Sequence, residues 1–253
     1  MKFLVVCLIG MFACGSGTPS ISSNGPAANG PPPAANAEAK GTGNDETSPD
    51  GFKVKRDMME ETNISQLLLT AKAEKTQDAL VIEYEAKNNT NQVLYLWDRI
   101  PDYPGGPPVI SPDLAYVFFE EPKTLTVIRA NLMLPTKIRV AVKEIPYLRA
   151  VAPGSTAKGR ISLKLPVAEF SPYYGSPSDE NSEKAEALEI RLLIGWTDFR
   201  EGMLLEETTI GEKVFVISGN WPKPYQRIAE KRIKITLPVL VAKGDFERTM
   251  PLQ

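Results

Sequence analysis

The chain has 253 residues, 42% hydrophobic and 24% charged, enough apolar material for a sizeable core and room for one large domain or two modest ones. Its 29 basic residues nearly cancel its 31 acidic ones, so no field of one sign draws it to nucleic acid. Histidine is absent and both cysteines, Cys7 and Cys14, lie near the start, which excludes histidine proton transfer throughout and disulfide or thiolate metal sites from everything downstream.

Lys2 supplies one positive charge, and the apolar run from Phe3 to Ala13 that follows is the length of a signal-peptide core and too short to span a bilayer. Cys14 follows directly, preceded by Ala13 and followed by Gly15-Ser16-Gly17. This arrangement resembles the lipobox of bacterial lipoproteins. The resemblance implies removal of residues 1–13, acylation of the Cys14 thiol and anchoring in a lipid membrane of the bacterial cell envelope. Met11 and Phe12 depart from the family's usual leucine and small residue. Gly15 stands where aspartate would signal inner-membrane retention, so the outer membrane is the implied destination. The competing reading is plain secretion, with cleavage near Gly15 or Gly17 and no lipid.

Residues 14–50 continue as Gly, Pro, Ala, Asn, Ser and Thr, including Gly30-Pro31-Pro32-Pro33, with Ile21 the one large aliphatic side chain after Cys14. Such a stretch buries too little apolar surface to offset the entropy of ordering, and it reads as a tether.

Residues 51–253 form the folded part. Leu80, Ile82, Tyr84 and Ala86 alternate with Glu83, Glu85 and Lys87, the period-two signature of a strand with one buried face. The same alternation predicts strands at Ile138-Val140-Val142, at Ile161-Leu163-Leu165 and at Ile233-Ile235-Leu237-Val239. Segments 92–97, 114–119, 125–128, 188–196 and 214–217 are apolar on both parities, which predicts strands covered on both faces. Turn signals separate them at Asn88-Asn89-Thr90-Asn91, Pro104-Gly105-Gly106-Pro107-Pro108, Pro153-Gly154-Ser155 and Ser218-Gly219-Asn220. Helix is invited only at 55–61 and at 176–188, where Ser176, Pro177 and Asp179 suit a helix start.

About ten strands separated by turns predict an all-β, antiparallel β-sandwich. The run Val81-x-Glu83-x-Glu85-x-x-Asn88-Asn89-Thr90, with Ala152-Pro153-Gly154 before the strand at 160–165, resembles immunoglobulin-like domains of bacterial envelope proteins. That resemblance implies an immunoglobulin-like sandwich, here enlarged by long loops.

No phosphate loop, nucleophile elbow or metal-spaced cluster is present, so the expectation is a protein that is not an enzyme and needs no cofactor or metal. Two carboxylate readings stay open: Asp98, Asp102 and Asp113 against Asp198 and Glu201 as a glycosidase-like pair, and Asp179, Glu180 and Glu183 as calcium ligands, each competing with ordinary solvated loops. The favoured candidates are aromatics in proline-stiffened loops: Tyr103, Tyr173, Tyr174, Trp221 and Tyr225. They form either a surface for an envelope protein or glycan, or rings that cap the ends of the sandwich. Trp97 and Trp196 are expected in the core.

Overall fold

The computed structural model describes residues 65–218 and 226–251. They lie in one compact unit, Met59–Gln253. The expected tether, Cys14 and the helix-inviting segment 55–61 fall outside the described residues, as do Trp221 and Tyr225.

Among the described residues there is no helix, and the fold is all-β. The strands are β1 (Leu67–Lys75), β2 (Ala79–Asn88), β3 (Leu94–Arg99), β4 (Pro101–Asp102), β5 (Val109–Ile110), β6 (Tyr116–Glu120) and β7 (Thr124–Arg129). They continue as β8 (Tyr147–Val151), β9 (Thr156–Lys164), β10 (Val167–Ala168), β11 (Ser182–Asp198), β12 (Leu204–Ile210), β13 (Glu212–Ser218) and β14 (Arg227–Ala242).

β1, β2 and β9 make a three-stranded antiparallel sheet. A nine-stranded sheet runs β10-β14-β11-β3-β8-β13-β12, with β7 alongside β11 and β6 outside β7. β11 and β14 pair over almost their whole length, from Ser182↔Ala242 to Trp196↔Arg227. The large sheet is mixed, because β7 runs parallel to β11 and the short β10 parallel to β14.

The two sheets share one core. Leu67, Leu69, Leu80, Ile82, Tyr84, Ala86 and Ile161 from the small sheet pack with Leu94, Leu96, Leu125, Val127, Ile190, Leu192, Ile194 and Trp196 from the large one. A second core lies on the other face of the large sheet, where Tyr116, Phe118, Ile128 and Leu193 meet Ile100, Ala130, Leu132, Phe170 and Phe246. Val117 and Phe119 belong to the first core and Tyr116 and Phe118 to the second, so β6 is buried on both faces, as its unbroken apolar run predicts. Trp97 and Trp196 are both buried.

The crossings between sheets are stitched by one side chain. The fully buried Asn88 amide, where β2 leaves the small sheet, donates to Gln92 O at 2.7 Å and to Val151 O at 3.0 Å, tying the β2–β3 crossing to the β8–β9 crossing. Gly154, at φ 69°, turns the second crossing in a conformation that side chains other than glycine resist.

Two local expectations are overturned. Residues 182–188 are the start of β11, and the helix signal at 176–179 yields only a turn, in which Asn181 N–H donates to Ser178 O at 3.0 Å. Pairing along β14 outweighs the weak helical propensity of that stretch. The alternating residues 138–142 form no strand and lie in a connection running from 131 to 146. Alternation needs a neighbouring strand to complete the ladder. Here the main-chain N–H groups of Thr136 and Lys137 instead donate to the Glu247 carboxylate, at 2.9–3.0 Å.

Candidate functional site

The connection 131–146 lies over the second core and is held down at several points. Leu132 bridges to Pro251, Met133 N–H donates to Met250 O at 2.9 Å, and Glu247 caps the backbone at Thr136 and Lys137. Between these ties its apolar side chains face solvent: Met133, Leu134, Ile138, Ile145 and, at 75% exposure, Val142. Five large apolar groups exposed along one connection, interleaved with Lys137, Arg139 and Lys143, form a surface that folding alone does not require.

Two of the predicted loop aromatics, Tyr103 and Tyr173, lie near Glu144 of the same connection. Tyr103, 54% exposed at the tip of the β4–β5 hairpin, and the half-buried Tyr173 both have phenol pKa values raised by burial and further by the carboxylate of Glu144. Buried Tyr116 beneath them is raised by burial first, then by Glu144, Tyr173 and Tyr103. Glu144 is thus the common neighbour of three tyrosines carried by three different stretches of chain. Tyr174 packs against Phe246, ring centroids 5.4 Å apart, and Tyr173 packs into the second core. The Tyr174 hydroxyl is buried without a hydrogen-bond partner among the described residues. The rings therefore divide between the two expectations: Tyr103 projects outward, while Tyr173 packs into the second core and Tyr174 against Phe246.

Of the carboxylates expected to pair, Asp98 and Asp198 do not meet. Asp198 opposes Leu94 across β11 and β3, and Asp98 lies four residues further along β3, about 13 Å at 3.3 Å per residue. A glycosidase pair needs roughly 5–9.5 Å. Each is engaged by arginine: Asp98 with Arg149 and Arg99, Asp198 with Arg200 and Arg227. Asp102 accepts the Tyr103 N–H at 2.8 Å, which fixes the tip of that hairpin. Among the described residues no group of three acidic side chains is placed to hold a metal ion.

Sequence reasoning missed two features. The exposed connection was hidden by its strand-like alternation. Arg129 ends an apolar run and reads as a residue leaving the core, yet it is 2% exposed. Its Nη1 donates to Tyr84 Oη at 3.2 Å, and that hydroxyl donates to Asp98 Oδ2 at 2.9 Å, so a polar cluster links the two sheets through their shared core. Tyr84 opposes Gly159 across β2 and β9, and any side chain at 159 would overlap its ring. The glycine lets the ring lie flat across β9 and reach Asp98.

Comparison with known proteins finds no matching family model, no similar curated protein and no similar solved structure.

Proposed function

We propose that this chain is a lipid-anchored protein of the bacterial cell envelope whose immunoglobulin-like sandwich binds another envelope component, protein or glycan, without catalysis. The observation that carries the binding reading is the convergence on Glu144 of the outward-facing Tyr103, the core-packed Tyr173 and the exposed apolar connection 131–146. An exposed aromatic anchor near a packed aromatic ring, rimmed by apolar side chains and lysines, is the make-up of a partner surface. The anchor rests on Cys14 directly after the apolar leader, and by the same resemblance the outer membrane is its destination.

Two measurements test the halves separately. Cys14→Ser should move the protein from the membrane to the soluble fraction, and unchanged retention refutes the anchor. For the surface, a photo-crosslinking residue at Val142 should give discrete adducts in intact cells. Tyr103→Ala should remove them, with partner affinity falling by ~2 kcal/mol, as loss of a central aromatic commonly costs. Adducts unaffected by Tyr103→Ala refute this face as the binding surface.

A further inference from the structure

A cavity of about 420 Å³ opens beside the polar cluster, walled by the ends of β3 and β7, by residues 110–112, by β9 and by the β12–β13 turn at Gly211. Its charged groups are Arg99, Arg129, Lys158 and Arg160 against Asp98 and Glu212. Most of these charges are already matched. Arg99 Nε lies 2.7 Å from Glu212, Arg149 pairs with Asp98 from behind the wall, and exposed Lys158 lies 2.9 Å from Glu85.

Arg160, opposite Glu83 in the register, has no close ion pair among the described residues, and neither has the buried Arg129. Its Nε donates to Leu114 O at 3.1 Å, its Nη2 to Pro112 O and its Nη1 to the Tyr84 hydroxyl, all neutral acceptors. Among the described residues no carboxylate lies within ion-pair distance of it. Arginine cannot shed its proton inside a protein, so this side chain keeps a full charge at 2% exposure. A carboxylate, Asp98, lies one hydroxyl away beyond Tyr84 and is shared with Arg99 and Arg149, so an anion arriving in the cavity would supply the direct counter-charge that this buried cation lacks. Three N–H groups of the guanidinium are committed to neutral acceptors, and two remain to donate. The exposed Arg160 adds a second cation to the lining, while Ile110, Pro112 and Ile210 give apolar wall for the rest of a small molecule.

We infer that this cavity is a binding site for a small organic molecule carrying an oxyanion group, a carboxylate or a phosphate, received by Arg129 and steered by Arg160. The volume is within the usual range for small-molecule sites. The assignment does not rest on the role proposed for the Tyr103 surface.

The test is thermal unfolding of the full-length chain, with Cys14→Ser to keep it free of detergent, at fixed ionic strength. Sodium chloride is compared with inorganic phosphate and with sodium glucuronate up to roughly 10 mM, a range in which a bound ligand stabilises by mass action. One of the two oxyanions should raise the midpoint by about 3 °C or more over chloride, saturably, and which of them does so tells phosphate from carboxylate. Arg129→Met should abolish the rise. Should that variant fail to fold, Arg160→Ala, at an exposed position, should weaken the apparent affinity by about 3-fold or more without lowering the midpoint in chloride. No saturable rise with either probe, or a rise of equal affinity in Arg160→Ala and the parent, overturns the assignment.

Discussion

Glu169 is the most informative single position for the fold, because it is fully buried and all its lone pairs have work inside the protein. One oxygen accepts from Phe119 N and Arg248 Nε, both at 2.7 Å, and the other from Ala242 N at 2.7 Å and Arg248 Nη2 at 2.8 Å. Its carboxylate thus joins the outer edge of β6 to the end of β14 and holds the C-terminal segment through a two-pronged arginine contact. Glu169→Ala strands two main-chain donors at ~1–3 kcal/mol each, the partly buried Ala242 at the low end. Arg248, 32% exposed, recovers water and adds little. The expected loss is about 2–4 kcal/mol, or a melting midpoint lower by roughly 4–16 °C for a domain of this size. Urea unfolding followed by tryptophan fluorescence measures it, with an unchanged denaturant slope showing that only stability moved. In a double-mutant cycle Glu169→Ala and Arg248→Ala should couple by about 0.5–3 kcal/mol. A loss below ~1 kcal/mol would put Glu169 among ordinary surface carboxylates and refute the role given to it here.

Two further outcomes follow from the shared core. Burial, then the nearby Asp98 carboxylate, pushes the Tyr84 phenol from its ordinary 10.0 up to about 12, so between those values the folded state holds a proton the unfolded chain has lost. Stability from this group is complete below pH 10 and declines as pH rises toward 12; Tyr84→Phe should flatten that decline while costing ~1–3 kcal/mol at neutral pH, and an equally steep alkaline loss in both proteins would count against the assignment. Trp196→Ala empties the shared core and removes the ring beneath Arg227, whose guanidinium carbon lies 4.9 Å from the ring centroid, so it should cost about 3–5 kcal/mol in denaturant unfolding. A cost under ~1 kcal/mol would show that the neighbouring side chains collapse into the space.

How far the sequence could be read depended on what each pattern needed to be true. In β2 the alternation reports a buried face directly, because pairing with β1 and β9 fills both its edges along its length. The unbroken apolar runs of β6, β7 and β11 were legible for the same reason: both faces of the large sheet are covered, by the small sheet on one side and by connections on the other. Alternation at 138–142 is the counter-example. Period-two patterning states only that one side of an extended chain is apolar, and when no ladder forms, the apolar residues end up facing water. Similarly, Ser176-Pro177-Ser178-Asp179 is a sound start for a helix, yet the residues after it have a strand partner in β14 that a short helix could not match.

The functional features were harder to read because they depend on separations that only the fold closes. Tyr103, Glu144 and Tyr173 are far apart in sequence and meet because β4–β5, the connection 131–146 and the turn at 171–175 all lie against the outer face of the large sheet. From sequence, proline-flanked tyrosines signal a stiff loop and nothing about where it points. Arg129 is concealed further still. A cation after an apolar run is the normal sign of a strand reaching solvent, and what keeps it inside is Tyr84 from the other sheet, which in turn reaches it only because residue 159, opposite it in the register, is glycine. A side chain at 159 would displace the ring and remove the acceptor of Arg129 Nη1, leaving the guanidinium only the carbonyls of Leu114 and Pro112. One glycine in the small sheet is therefore part of what holds a buried cation of the large sheet beside the cavity, which is why neither residue discloses the site when read alone.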